Sequence, residues 1–267
     1  MNSRRCDISI GVSLILLAAF SGMPLAEEAA PGTRLPSTDA IVRGLVAANS
    51  QRAQALRGYQ GKRIYHLDYK GLFGSHDAEM MVEATYSAPD KKQFRILSES
   101  GSRLLINRVL LKLLSSEEEA QTEQNRKTLE ITPENYSFSL DQFERTAQGD
   151  FYVLNVIPKG KSRYLYRGKI WVDAHDMAIA RMSGEPQRNP SMWVSHTEIE
   201  YRWAKEEGFW LPIYNESVTQ VRMGGKATLT IQYNDYQVTG VNRAGNAPRA
   251  GQSQVMPDPA SIAADPH

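Results

Sequence analysis

Apolar and polar residues alternate along most of the chain after residue 58, and a period of two predicts β-strands. In the segment that ends at residue 204, Tyr201 and Trp203 fall on one face and Arg202 falls on the other. Ten segments show this alternation: 59–69, 77–87, 93–99, 136–146, 151–158, 164–173, 178–184, 193–204, 209–222 and 226–238. The alternation predicts a sheet with one buried face and one solvated face.

Turn-forming residues, rather than helices, separate most of these segments. Gly224-Gly225 lies between the last two segments, where a two-residue hairpin turn needs positive φ. Consecutive strands without helices between them exclude a parallel α/β fold. We predict an α+β, mainly β fold: an incomplete, half-open antiparallel β-barrel of about ten to eleven strands, with an N-terminal helix and an apolar lid or plug helix.

The N-terminal helix is predicted over residues 38–56, where apolar residues recur at helical spacing. Ser37-Thr38-Asp39 supplies side chains that can cap its first turn. Gly58 is expected to end it.

A second helical pattern interrupts the strands at residues 102–114. Eight of the eleven residues from Leu104 to Leu114 are large aliphatics, and no Gly or Pro interrupts them. Ser116 and Glu119 fit a capping box that would start a second short helix. Two interpretations stay open: a core helix that plugs the sheet without a ligand, or a lid over an apolar cavity that opens for an acyl chain.

The lid interpretation requires an interior that stays accessible to a guest molecule. Tryptophans from the strands are further candidates to line that interior, although an aromatic core is the plainer interpretation of each. The candidate ligand-binding residues are Leu105, Ile106, Val109, Leu110, Leu113, Trp171, Trp193 and Trp210.

The first 26 residues have the order of a secretory signal peptide. Arg4 and Arg5 precede an apolar run over 8–20, and small residues follow it up to Ala26. A membrane anchor is the alternative, but the run is shorter than the ~20 residues that span a bilayer. We therefore predict a signal peptide at 1–26, a linker at 27–36, one domain at 37–240 and a disordered tail at 241–267. The mature chain is expected to be exported to the periplasm and soluble.

Composition and motifs exclude several classes of function. Cleavage after Ala26 removes two Arg and one Asp, which moves the formal net charge from +1 to 0, and a neutral chain does not attract nucleic acid. The one cysteine, Cys6, lies in the predicted signal peptide, so thiol catalysis and thiolate metal sites are excluded in the mature chain. We find no motif of a hydrolase, metalloprotease or phosphate-binding loop. No enzyme activity, metal or cofactor is predicted, and the chain is expected to be a monomer.

Two stretches carry strand and turn signatures of a known family. They are Leu129-Glu130-Ile131-Thr132-Pro133-Glu134-Asn135-Tyr136-Ser137-Phe138, and Gly168-Lys169-Ile170-Trp171-Val172-Asp173 continuing through Asp176, Ile179, Arg181 and Gly184-Glu185-Pro186. Together with the order of elements over 38–239, they resemble the LolA/LolB-like superfamily of bacterial periplasmic lipoprotein-sorting proteins, in the branch of outer-membrane lipoprotein-sorting proteins. This resemblance implies helices that act as a lid on a half-barrel.

The same resemblance implies a carrier or chaperone that binds the acyl chains of a lipoprotein, or another lipid, and contributes to outer-membrane lipoprotein sorting. An inner- or outer-membrane protein would be its transfer partner. One alternative is an envelope sensor of the RseB type, which binds a partner protein. Others are a structural periplasmic protein without a ligand and an enzyme of an unrecognised kind, because fold does not determine function.

Overall fold

The computed structural model describes residues 35–72, 74–89, 91–120, 127, 129–161, 165–189, 192, 194–222 and 224–241. Helix α1 spans Thr38–Ala55, and two further helices, α2 at Arg103–Leu105 and α3 at Leu111–Ala120, flank a π-helical turn at Ile106–Leu110. The strands are β1 Leu56–Gly71, β2 Gly74–Ser87, β3 Lys91–Gly101, β4 Tyr136–Thr146, β5 Gly149–Pro158, β6 Tyr166–Asp173, β7 Ile179–Pro186, β8 Val194–Glu206, β9 Phe209–Val221 and β10 Gly225–Val241.

All ten strands form one antiparallel sheet in the order β3-β2-β1-β10-β9-β8-β7-β6-β5-β4. Among the described strands, β3 and β4 each have a single neighbour, so the sheet does not close. This confirms the predicted α+β, mainly β fold with a half-open antiparallel barrel. The turn between β9 and β10 holds Gly224 at φ 84°, a conformation that glycine adopts without strain.

Helix α1 covers one half of the inner face of the sheet. Its Ile41, Val42 and Leu45 are buried in a cluster with side chains from β4 to β8, which we call the first apolar cluster. The Ser37 hydroxyl accepts a hydrogen bond from the Ala40 N–H at 3.3 Å, as predicted for a capping residue. Thus the helix begins where the sequence indicates.

The predicted bounds of α1, 38–56, agree with the structure to within one residue, but the predicted role of Gly58 in ending the helix is wrong. The helix stops at Ala55, and Gly58 already lies in β1. A Cβ at Gly58 would approach the Thr239 hydroxyl oxygen to 2.8 Å. Close approach of a neighbouring strand, not a helix terminus, accounts for this glycine.

Residues 103–120, which we call the insert, cover the other half of the inner face. Their apolar side chains pack on β1, β2 and β10 to form the second apolar cluster. Within the described residues, no helix is both long enough and apolar enough to cross a membrane. The predicted signal peptide, nearly all of the linker, all of the tail after Val241, and Trp193 lie outside the described residues.

Candidate functional site

The insert is one continuous helical segment. It begins at Ser102, whose side-chain oxygen accepts a hydrogen bond from the Leu105 N–H at 3.5 Å. The π-helical turn is closed by a hydrogen bond from the Leu111 N–H to the Ile106 carbonyl. Such turns are rare within helices and occur frequently at functional sites.

No second helix starts at Ser116, so the predicted capping box is wrong. Helix α3 runs from Leu111 to Ala120 without interruption. The Ser115 hydroxyl donates to the Leu111 carbonyl at 3.2 Å, one turn earlier. A serine whose hydroxyl donates to a carbonyl of the preceding turn lies in the interior of a helix. Serine is also a frequent capping residue, so its presence alone does not mark a helix start.

The apolar side chains of the insert meet on one face. Ile106, Val109, Leu110 and Leu113 are buried in the second apolar cluster, and Leu105 packs against it half-buried. The sheet residues of this cluster are Tyr65, Leu67, Ala78, Met80, Val82, Ala227, Leu229, Ile231 and Tyr233. All five insert residues predicted to bind a ligand therefore lie together on the inner face of the sheet.

The buried side chains of the insert pack directly against those of the sheet, so the two surfaces that the lid interpretation separates are in contact here. The two cavities described in the structure lie elsewhere. One, of about 680 Å³, is lined by Asn155, Ile157, Arg167 and neighbouring polar residues, and the other, of about 320 Å³, lies beside Lys62. Asn155 and Ile157 alternate with buried Leu154 and Val156, so the larger cavity is on the outer face.

A buried ion-pair cluster holds the far end of the insert. Arg63 Nη1 donates to Glu117 Oε2 at 2.7 Å, and Lys92 Nζ donates to Glu117 Oε1 at 2.7 Å. Arg63 Nη1 also donates to the Tyr65 hydroxyl at 3.3 Å. The side chains of Arg63, Glu117 and Lys92 are 4%, 5% and 16% exposed, so α3 is joined to β1 and β3 by charges that are almost excluded from water. We call these three residues the Glu117 cluster.

The electrostatics of the Glu117 cluster keep the carboxyl group ionised. Burial alone would raise the pKa of Glu117, but the charges of Arg63 and Lys92 and their hydrogen bonds outweigh burial and lower it from 4.5 to about 2. Burial raises the pKa of Tyr65 to about 12, so its hydroxyl stays neutral. The cluster therefore contains two cations and one anion at neutral pH.

Aromatic rings fix the position of the Arg63 guanidinium. Its central carbon lies 5.1 Å from the Phe94 ring centroid and 5.0 Å from the Tyr233 ring centroid. Cation–π attraction of this kind is strongest where water is excluded. The guanidinium is thus held in place by contacts that do not depend on the insert.

Polar side chains lie on the inner face of β9, which is next to β10 in the sheet, and of β8, the strand beyond it. The buried residues are Thr197, Asn215, Ser217 and Thr219, and the hydroxyl oxygens of Thr197 and Thr219 lie 3.2 Å apart. Ser217 Oγ is buried and has no hydrogen-bond partner among the described residues. The apolar lining of the inner face is therefore interrupted beside the second apolar cluster.

Neither of the two described candidate tryptophans, Trp171 and Trp210, belongs to the second apolar cluster. Trp171 donates its indole N–H to Glu144 at 3.0 Å and lies under the Arg181 guanidinium at 4.5 Å, on the outer side of β6. Its neighbours Ile170 and Val172 point to the inner face, which requires Trp171 to point outwards. Trp210 packs against the first apolar cluster and donates to Asp176 at 2.8 Å. Trp193 is outside the described residues.

Sequence reasoning missed the Glu117 cluster, although two signals point to it. Arg63 occupies an inward position of β1, on the same face as Tyr65 and Leu67. Glu117 follows Leu110 and Leu113 by seven and four residues, on the same face of a helix. When two apolar faces pack together and each carries one charge of opposite sign, the two charges are expected to form a buried ion pair.

Histidines and carboxylates are not assembled into a metal centre in the part of the chain that the structure describes. His66 Nε2 lies 3.1 Å from Asp68, and His196 Nε2 lies 3.2 Å from Glu198. Both pairs are substantially exposed, which is typical of solvated surface residues.

Comparison with known proteins gives likenesses in structure only. No protein family model and no curated protein matches the chain. An outer-membrane lipoprotein-sorting protein domain from Vibrio parahaemolyticus is 13% identical, with a TM-score of 0.40 over 76% of this chain and 93% of that one. A LolA superfamily protein from Nitrosomonas europaea is 12% identical, with a TM-score of 0.31 over 78% and 96%.

The MucA/MucB complex from Pseudomonas aeruginosa also matches, at 11% identity and a TM-score of 0.24 over 73% of this chain and 94% of that one. The structural neighbours thus include the class of protein that the sequence resembles.

Proposed function

We propose that this chain is a periplasmic carrier that binds the acyl chains of a lipoprotein, or another lipid, between the insert and the sheet. In this proposal the described structure is the closed form, and the insert side chains occupy the volume that an acyl chain takes in the loaded form. Export to the periplasm rests on the predicted signal peptide, and a contribution to outer-membrane lipoprotein sorting rests on the resemblance described above.

The second apolar cluster is the observation that carries this proposal. Apolar side chains line both the insert and the inner face of β1, β2 and β10, so separation of the two would expose a continuous apolar surface. An acyl chain needs a site with these properties, since it offers almost no hydrogen-bonding groups. Moreover, the insert can move without disrupting the sheet because it contributes no strand.

The energetics allow exchange between the insert and a ligand. Burial of an acyl chain contributes ~0.8 kcal/mol for each CH₂ group, so several such groups can replace the contacts of displaced Leu and Val side chains. What opposes opening is the Glu117 cluster, because a buried charge that loses its partner is costly. The proposal therefore treats the second apolar cluster as the binding surface and the Glu117 cluster as the restraint on access.

Lipid retention tests this proposal. The chain is expressed with its N-terminal segment, purified from the periplasm without detergent and analysed by native mass spectrometry and lipid extraction. We expect bound lipid in the wild type and loss of that lipid in Leu110→Asp, because a carboxylate would enter the second apolar cluster. Leu104→Asp is the matched control, since Leu104 lies on the same insert but is 64% exposed.

Circular dichroism checks that both variants keep the β-sheet. Lipid retained equally by the wild type and by folded Leu110→Asp contradicts binding under the insert. Absence of lipid from the wild type, together with no uptake from added vesicles, contradicts the carrier function altogether.

A second candidate function is the binding of a partner protein, as in an envelope sensor. The observation that favours it is the edge strand β3, which pairs only with β2 among the described strands and exposes Ile96 and Leu97. An exposed strand edge can accept an extended peptide through main-chain hydrogen bonds. A stoichiometric polypeptide in place of lipid in the native mass spectrum, lost in Ile96→Asp, would favour this function over the carrier.

A further inference from the structure

We infer that the ligand is an amphiphile with one anionic head group, and that this head group binds Arg63 and Lys92 in place of the Glu117 carboxylate. The inference deepens the proposed function and rests on it. It treats the buried face of the insert as an internal substitute for the ligand, with apolar side chains in place of the acyl chain and a carboxylate in place of the head group.

The arrangement of the insert supports this interpretation. Val109, Leu110, Leu113 and Glu117 lie on the face that is packed against the sheet. From Ile106 to Glu117 this face extends about 16 Å at about 1.5 Å per residue, with the charge at one end only. An apolar stretch that ends in one anion has the same distribution of polarity as a fatty acid or an alkyl phosphate.

The charges that receive Glu117 belong to the sheet and remain when the insert leaves. Arg63 and Lys92 are on β1 and β3, and each donates to a different oxygen of the same carboxylate at 2.7 Å. Departure of Glu117 would leave two cations beside an apolar surface with no anion between them. Unpaired buried charges are strongly unfavourable, so a neutral lipid would carry this cost and an anionic one would remove it.

The position of Lys92 provides room for a head group. Its side chain is 16% exposed, whereas that of Arg63 is 4% exposed, so the cluster extends from the interior towards solvent. The guanidinium stays between the rings of Phe94 and Tyr233 and is therefore positioned in advance for an anion. The site consequently offers one fixed cation and one flexible cation, a combination that suits a carboxylate or a phosphate.

Binding of matched probes to the mature full chain at pH 7.5 tests the inference. The probes are dodecyl phosphate, dodecanoate, dodecanol and inorganic phosphate, each measured by competition against a fluorescent fatty acid. We expect both anionic amphiphiles to bind at least tenfold more tightly than dodecanol. Inorganic phosphate should bind at least tenfold more weakly than dodecyl phosphate, because it lacks the chain.

The outcomes separate this inference from the proposed function. Equal affinity for dodecanol and the anionic amphiphiles overturns the head-group inference and leaves the carrier function intact. Equal affinity for inorganic phosphate and dodecyl phosphate overturns it as well, because the anion would then bind without the chain. No binding of any amphiphile contradicts both.

Variants of the Glu117 cluster test whether the preference for an anionic head group arises there. Glu117→Gln should raise the affinity for dodecyl phosphate at least tenfold, because the internal anion no longer competes. Lys92→Gln should reduce the preference for dodecyl phosphate over dodecanol at least fivefold, and this residue is accessible enough to be replaced without a buried cavity. Glu83→Gln, which removes a carboxylate from an exposed pair with Arg95, is the matched control and should change neither value. An unchanged preference in folded Lys92→Gln overturns the inference.

Discussion

Helix α1 and the insert both bury apolar faces on the same sheet, but their polar attachments differ. Near its end, α1 donates from Arg52 to the backbone carbonyls of Asp176 and Met177, both at 2.8 Å. Near its start, the Thr38 hydroxyl accepts from the Leu140 N–H at 3.1 Å. The insert is instead joined to the sheet by the Glu117 cluster, in which all three partners carry full charges.

Under the proposed function, this difference separates a permanent contact from one that a ligand exchanges. The carbonyls of Asp176 and Met177 belong to the turn between β6 and β7 and carry no net charge. A carboxylate between two side-chain cations, in contrast, can be replaced by any anion that reaches the site. The comparison predicts that α1 behaves as part of the core and that the insert opens independently of it.

The largest expected effect comes from Glu117→Gln. Loss of the anion leaves Arg63 and Lys92 buried without a charged partner, which costs about 3–5 kcal/mol. Amide hydrogen exchange should therefore accelerate strongly across residues 111–117 and stay unchanged in α1. Equal acceleration in both helices would show that they form a single cooperative unit.

The next largest effect is expected from matched cavity variants, which should show whether α1 and the insert unfold together or separately. Leu45 and Leu110 are both completely buried, one in each cluster, and replacement of either by Ala removes contacts worth about 2–5 kcal/mol. In urea denaturation we expect Leu45→Ala to lower the free energy of global unfolding. Leu110→Ala should mainly reduce the hydrogen-exchange protection of the insert, and a global loss as large as that of Leu45→Ala would contradict the distinction.

The pH dependence of stability should show the contribution of the Glu117 cluster. The pKa of Glu117 is lowered from 4.5 to about 2 in the folded state, so its stabilisation is present above pH 4.5 and is lost as the pH falls towards 2. The difference corresponds to about 3 kcal/mol. Exchange protection of the insert should decrease over this range in the wild type, whereas Glu117→Gln should lack this component at every pH.

The smallest effect is expected for the exposed pair Arg95–Glu83 on the outer face. Its nitrogen–oxygen distance of 2.8 Å is close to that of the buried pair, but the Arg95 side chain is 69% exposed. Exposed pairs contribute about 0–1 kcal/mol. Glu83→Gln should change the midpoint of urea unfolding only slightly, and a loss comparable to that of Glu117→Gln would contradict the role given to burial.

The strands could be predicted because alternation is a local property, and β4 has the predicted bounds at both ends. The outward position of Trp171 follows from the same alternation: Ile170 and Val172 face inwards, so the residue between them faces outwards. The burial of Glu117 could not be predicted because an acidic run after a leucine-rich segment also fits a solvated helix start. Its partners come from β1 and β3, and no local pattern brings these three segments together.

Strands β1 and β10, the first and last described strands along the chain, are hydrogen-bonded to each other near the middle of the sheet, with pairs from Leu56 and Val241 to Gly71 and Gly225. Until the ribosome has made β10, the segment β1–β3 with the insert has no described pairing to β4–β9, and contacts such as Lys62 with Asp235 join residues 173 apart. Pairings of this separation form late and slowly. A nascent chain of this design cannot complete its sheet until β10, its last described strand, has been made.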